Sequence, residues 1–140
     1  MAKRMLDVTA SELKNYKKKE LLESIVKSEG RVMAAECIGL IMPILSDVTN
    51  AEFAAAMGAD IVLLNMFDVK KPVIQALPEV EAIDTVKELK HLTGRVIGIN
   101  LEPVEETDTL ENQGTMWEMS EGRKATVENA TIARDMGVDM

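Results

Sequence analysis

Five polar residues interrupt or close apolar runs in this chain, and their placement is the first sign of chemistry. Glu36 lies in RVMAAECI, Asn65 ends DIVLLN with Asp68 three residues on, and Asn100 and Glu102 close RVIGINLEP. Side chains at the carboxyl ends of parallel strands converge on one edge of a sheet, where α/β folds carry their reactive groups. A carboxylate on a buried strand must be paired, neutralised or bound to a cation. Glu36, Asp68 and Glu102 would together offer a hard cation such as Mg²⁺ three oxygen ligands. Such an ion absorbs charge developing on a substrate oxygen, so an enolate-type reaction is expected, with Glu36, Asn65, Asn100 and Glu102 as its catalytic set. Lys70 and Lys71, just after Asp68, would hold a substrate phosphate or carboxylate. The plainer alternative makes Asn65 and Asp68 strand-end turn formers and the two lysines a solvated pair.

Other reactive residue types read as structural. Cys37 follows Glu36 and would point to the opposite side of a strand, as an inert buried thiol. His91 sits near a helix end, where a cation meets the negative end of the dipole. Trp117, with Met116 and Met119, lies in the long acidic segment VEETDTLENQGTMWEMSEG. These three form either a lid over a site or a small apolar cluster holding that segment down.

The elements needed to position these residues follow from periodicity and caps. Thr9 with Glu12 has capping-box spacing, and Leu13, Leu21, Leu22, Ile25 and Val26 share one face, which predicts an amphipathic helix over 10–28. Strands are predicted at about 31–38, 60–65, 95–101 and 138–140. A second capping pair, Thr49 with Glu52, opens a helix that Gly58 ends. A further helix follows Pro78 and closes at Thr93 and Gly94, and another begins at Arg123 and closes at Gly137. Gly98 inside its strand implies close approach of a neighbouring backbone or ligand. The phrase NAEFAAAMGADI (50–61) recurs as NATIARDMGVDM (129–140), two strand–helix units later.

Alternating strands and helices with short loops predict parallel strands joined by right-handed crossovers. An eight-unit barrel needs about 250 residues, so the α/β fold expected here is the N-terminal half of a (β/α)8 barrel, preceded by an extra helix. All 140 residues form one partial domain on this reading. A strand left unpaired at an edge is a template for association, so a homo-oligomer or pairing with a missing C-terminal half is expected. The rival is a non-catalytic α/β binding or assembly module that pairs through its exposed edge strand.

Composition excludes several classes. The 16 basic against 24 acidic residues give a net charge of −8, which leaves no basic face for a phosphate backbone, so no nucleic-acid partner is expected. No apolar run reaches membrane-spanning length, and the start has no apolar secretory region, so no membrane partner and a cytoplasmic location are expected. The single Cys37 fits a reducing compartment. A small-molecule metabolite is the partner that remains.

MLDVTASELK (5–14), SDVTNAEFAAAMGADIVLLNMFDV (46–69) and LTGRVIGINLEP (92–103) together resemble an uncharacterised bacterial family of TIM-barrel proteins. Its members carry labels such as phosphoenolpyruvate phosphonomutase-like or haloacid dehalogenase-like. The resemblance covers nearly all of this chain and the N-terminal half of the usual member. It implies a barrel enzyme, with Mg²⁺ as cofactor if the mutase likeness holds.

Overall fold

A computed structural model describes residues 2–104, 114, 115 and 117–140. The capping box at Thr9 forms: the Thr9 hydroxyl accepts from the Glu12 amide, and the Glu12 carboxylate accepts from the Thr9 amide, opening α1 (Ala10–Leu13). The single helix expected over 10–28 is broken. The Asn15 side-chain amide donates to the Ser11 carbonyl at 2.9 Å, a local bond that competes with helix continuation. A new start follows, where the Glu20 carboxylate accepts from the Lys17 amide at 3.0 Å and α2 (Lys18–Lys27) begins.

Three strands form one parallel sheet in the order β1 (Ala34–Ile38), β2 (Ile61–Asn65), β3 (Val96–Ile99), with Ala34 opposite Ile61 and Ile61 opposite Val96. Each is shorter than its sequence suggested. Residues 31–33 lead out of a turn in which Glu29 and Gly30 both take positive φ, so pairing starts only at Ala34. Beyond Asn100 the chain leaves β2, and Glu102 forms an isolated parallel bridge to Lys124 instead. Residues 138–140 are not a strand of this sheet. They lie beside β3 through two main-chain bonds, from the Asp139 amide to the Ile97 carbonyl (2.8 Å) and from the Ile99 amide to the Met140 carbonyl (3.0 Å). Gly98 is where this approach is closest: a Cβ there would stand 3.1 Å from the Met140 carbonyl oxygen, as the sequence implied.

The connecting helices are α3 (Asn50–Ala56), α4 (Thr85–Thr93) and α5 (Val127–Met136). Thr49 caps α3 with Glu52 as expected. The helix expected directly after Pro78 starts later, as a 3-10 turn over Ala82–Asp84 running into α4. The helix expected from Arg123 starts at Val127, because Thr126 supplies the cap by accepting from the Asn129 amide.

Alternation along the strands sorts the side chains onto two faces. Val62 and Leu64 of β2 and Ile97 of β3 face the helices and are fully buried among Ala51, Val86, Leu89 and Met136. Each such Leu or Ile contributes about 1.5–3 kcal/mol by leaving water. Helix α3 packs against α4 and α4 against α5, so the helices line that face in chain order. On the other face, Ile61 and Val96 are covered near the amino end of the sheet by Met5, Leu13, Leu21 and Ile25. The carboxyl end of that face, beyond the part covered by α1 and α2, carries Glu36 and Asn65.

Candidate functional site

Glu36 and Asn65 meet. They stand on adjacent strands, and the Asn65 side-chain amide donates to Glu36 Oε1 at 2.8 Å. Asn65 Oδ1 turns back to accept from the Met66 amide at 2.8 Å, which holds buried Met66 in the left-handed region (φ 59°). A bulky residue is disfavoured there by roughly 1–2 kcal/mol, and such strain gathers at functional sites. Glu36 is exposed, so its carboxylate is open to a ligand. Asn100 continues the β3 line, its amide reaching the Leu64 carbonyl at 3.4 Å.

Asp68 and Glu102 go elsewhere. Asp68 Oδ1 accepts from the amides of Lys70 (2.7 Å) and Lys71 (3.0 Å), so its carboxylate builds the turn after β2. That turn is pressed against Gly122, where a Cβ would lie 1.7 Å from Asp68 Oδ1. Glu102 is bound through its main chain to the same segment: its amide donates to the Arg123 carbonyl and its carbonyl accepts from the Ala125 amide, both at 2.8 Å. Among the described residues no group of three or more His, Cys, Asp or Glu could hold a metal ion. The three-carboxylate set Glu36, Asp68 and Glu102 is therefore corrected: one member is turned to the sheet face opposite α3–α5 while the others brace residues 120–125. The donors present do not make a Mg²⁺ cage. Lys70 pairs with Glu128 at 3.3 Å across an exposed surface, and Lys71 is exposed.

Arg123 is the residue that sequence reasoning missed. It is 8% exposed, its Nη1 donates to the Glu118 carbonyl at 3.1 Å, and its Nε is buried with no acceptor. Among the described residues no carboxylate pairs with it. Burying a cation without a paired carboxylate is costly, which makes the group a candidate for holding an anion. Buried Asn129 fixes the segment by donating to the carbonyls of Glu121 (2.7 Å) and Lys124 (2.8 Å). Nothing in the local sequence marks Arg123; Glu121–Arg123 reads as ordinary charge before a helix.

Cys37 lies on the helix side, packed against the main core, as expected from its alternation with Glu36. Burial, aided by the Glu36 charge, pushes its thiol up to about 11, the opposite of what a nucleophile needs. His91 stands exposed in the last turn of α4. Trp117 is 58% exposed, while Met116 and residues 105–113, on which the lid reading also drew, lie outside the described residues.

The family described as a domain of unknown function (DUF7916) matches residues 6–140. The chain belongs to that family. The match spans every strand and helix of the DUF7916 fold described above. No curated protein and no solved structure matches the chain. Among the described residues, no helix is long and apolar enough to cross a membrane.

Proposed function

We propose that this DUF7916 chain forms the first strands of a (β/α)8 barrel enzyme acting on a small phosphorylated or carboxylated metabolite. The purely sequential strand order supports the barrel, because a doubly wound sheet reverses its order part-way. Helices α3, α4 and α5 packed side by side on one face support it too; on this reading the other face is the barrel's inner wall, with α1 and α2 closing its amino end. The observation that carries the site is Arg123, a buried guanidinium without a paired carboxylate among the described residues, joined through Gly122 and Glu102 to the carboxyl ends of β2 and β3. A guanidinium fork binds phosphate or carboxylate in two-point fashion. Glu36, oriented by Asn65, is the group available for proton transfer to or from the held substrate.

The test is a melting-temperature screen of the protein against phosphorylated and carboxylated metabolites. A hit should vanish in Arg123→Met, a swap of similar volume that removes a buried charge and should leave stability unchanged or raised. Glu36→Gln should keep the binding and lose turnover. If no anionic metabolite shifts the melting temperature, or if Arg123→Met binds a hit unchanged, the reading is wrong.

One observation favours a second reading, an assembly module. β1 is the sheet's edge, and Met33, which leads into it, is 60% exposed. A free edge pairs readily with another strand. A monomer across the micromolar range in sedimentation, with a metabolite bound, would exclude it.

A further inference from the structure

We infer that a second anion site lies at the opposite, amino-terminal end of the sheet, in a cavity between α1, the end of α4 and the start of β3. The cavity encloses about 470 Å³, room for a small organic phosphate. Its walls carry Lys14, Lys87, Lys90, His91 and Arg95, and its single acidic residue is Asp139. Such a gathering of cations is unexpected in a chain of net charge −8.

Part of this charge has an ordinary explanation. Lys90 and His91 occupy the last turn of α4, where cations offset the helix dipole. Lys90 is also engaged, by Asp139 at 2.7 Å and by the Gly137 carbonyl at 3.1 Å, and Lys87 pairs with Asp84 at 2.8 Å. Asp139 is occupied in turn, since its other oxygen accepts from the Ile97 amide at 3.0 Å. It is not available to neutralise the rest.

Of the lysine and arginine side chains here, two, Lys14 and Arg95, have no ion pair among the described residues, although they line the same cavity. Arg95 Nε is buried and lacks an acceptor. Buried donors are nearly always satisfied, so an orphan nitrogen in a guanidinium that lines a cavity leaves that side chain's charge for a ligand to answer. Leu13, Tyr16, Leu21 and Val96 complete the wall, so the ligand's anionic group meets Arg95 and Lys14 while its body rests on apolar and aromatic surface. A phosphate ester fits this pairing, because its dianion needs more than one cation and matches the planar fork of Arg. The site is separate from Arg123 and Glu36, which stand at the carboxyl end of the strands. Sequence gave no hint of it, since Lys14 and Arg95 come from distant segments.

The test is a phosphate titration of the full chain, at ionic strength matched with chloride, followed by NMR at the side-chain Nε–H of Arg95. Phosphate should move this resonance saturably and chloride should not. Charge-assisted hydrogen bonds are worth enough that Lys14→Gln should weaken phosphate binding about tenfold, and Arg95→Gln should do so at least as strongly. Arg123→Met and Glu36→Gln should leave the Arg95 response in place. The inference fails if the resonance does not saturate, if chloride reproduces the shift, or if Lys14→Gln binds phosphate as tightly as the parent. Should Arg95→Gln fail to fold, the Lys14 variant, altered at an exposed side chain, decides alone.

Discussion

At the scale of single residues, neighbours rather than residue type decide which groups are available for chemistry. Cys37 and Glu36 are adjacent in sequence, yet one is packed against helices and the other opens to the bare face of the sheet. The thiol, held near 11, is roughly one part in a thousand thiolate at pH 8, so iodoacetamide should label native Cys37 far more slowly than the unfolded chain. The sign for stability follows. A folded value above the unfolded one stabilises the fold at pH below about 8.5, and that contribution disappears as pH rises towards 11. Denaturant midpoints at pH 8 and 10.5 should fall in that order, and a flat or rising profile would refute it. Glu36 and Asn65 were legible in the sequence because a polar side chain on an apolar strand stands out against its background. Asp68 was legible as a polar strand-end residue but not in its role, since Asx-turn geometry and a cation ligand use the same carboxylate. Arg123 and Arg95 were invisible. Their significance is a buried Nε with no acceptor among the described residues, which no local pattern encodes.

At the scale of elements, caps were the most readable signals and continuity the least. Thr9 with Glu12 and Thr49 with Glu52 both form the reciprocal bonds their spacing predicts. Apolar periodicity runs on through residues 14–17, yet the helix stops there, because the Asn15 side chain takes the Ser11 carbonyl. Lys17 then starts α2 without a side-chain acceptor of its own. Lys17→Ser would provide one, and a good N-cap is worth about 0.5–2 kcal/mol. The urea midpoint should rise accordingly; an unchanged or lower midpoint would mean that α2 is not limited by its cap. Three of the four expected strands stand in place but trimmed, and 138–140 only lies beside β3, since periodicity reports which residues are apolar and not where a neighbouring strand is near enough to bond. Glu102 illustrates this: it continues the β3 run in sequence but gives its main-chain bonds to residues 123–125.

At the scale of the whole molecule, the repeated phrase proves to be structural. Gly58 and Gly137 both take positive φ, and the residue after each donates its amide back into the preceding helix, Ala59 to Ala54 and Val138 to Ala133. The Asp that follows grips one residue of the adjoining segment by both main-chain groups. The Asp60 amide donates to the Met33 carbonyl and the Asp60 carboxylate accepts from the Met33 amide. Asp139 does the same to Ile97. This double grip has a consequence at a distance. Sliding β1 by one residue along β2 would exchange its two faces, sending Glu36 among the helices and Cys37 to the open side. Asp60 thus acts as an indexing tooth: it stands at the foot of the sheet, yet it fixes which chemistry appears on the face above. Asp60→Ala should cost about 0.5–1.5 kcal/mol of stability. It should also quicken the labelling of Cys37 beyond what that lost stability explains. Labelling that merely tracks global unfolding would show that the strand keeps its place without the tooth.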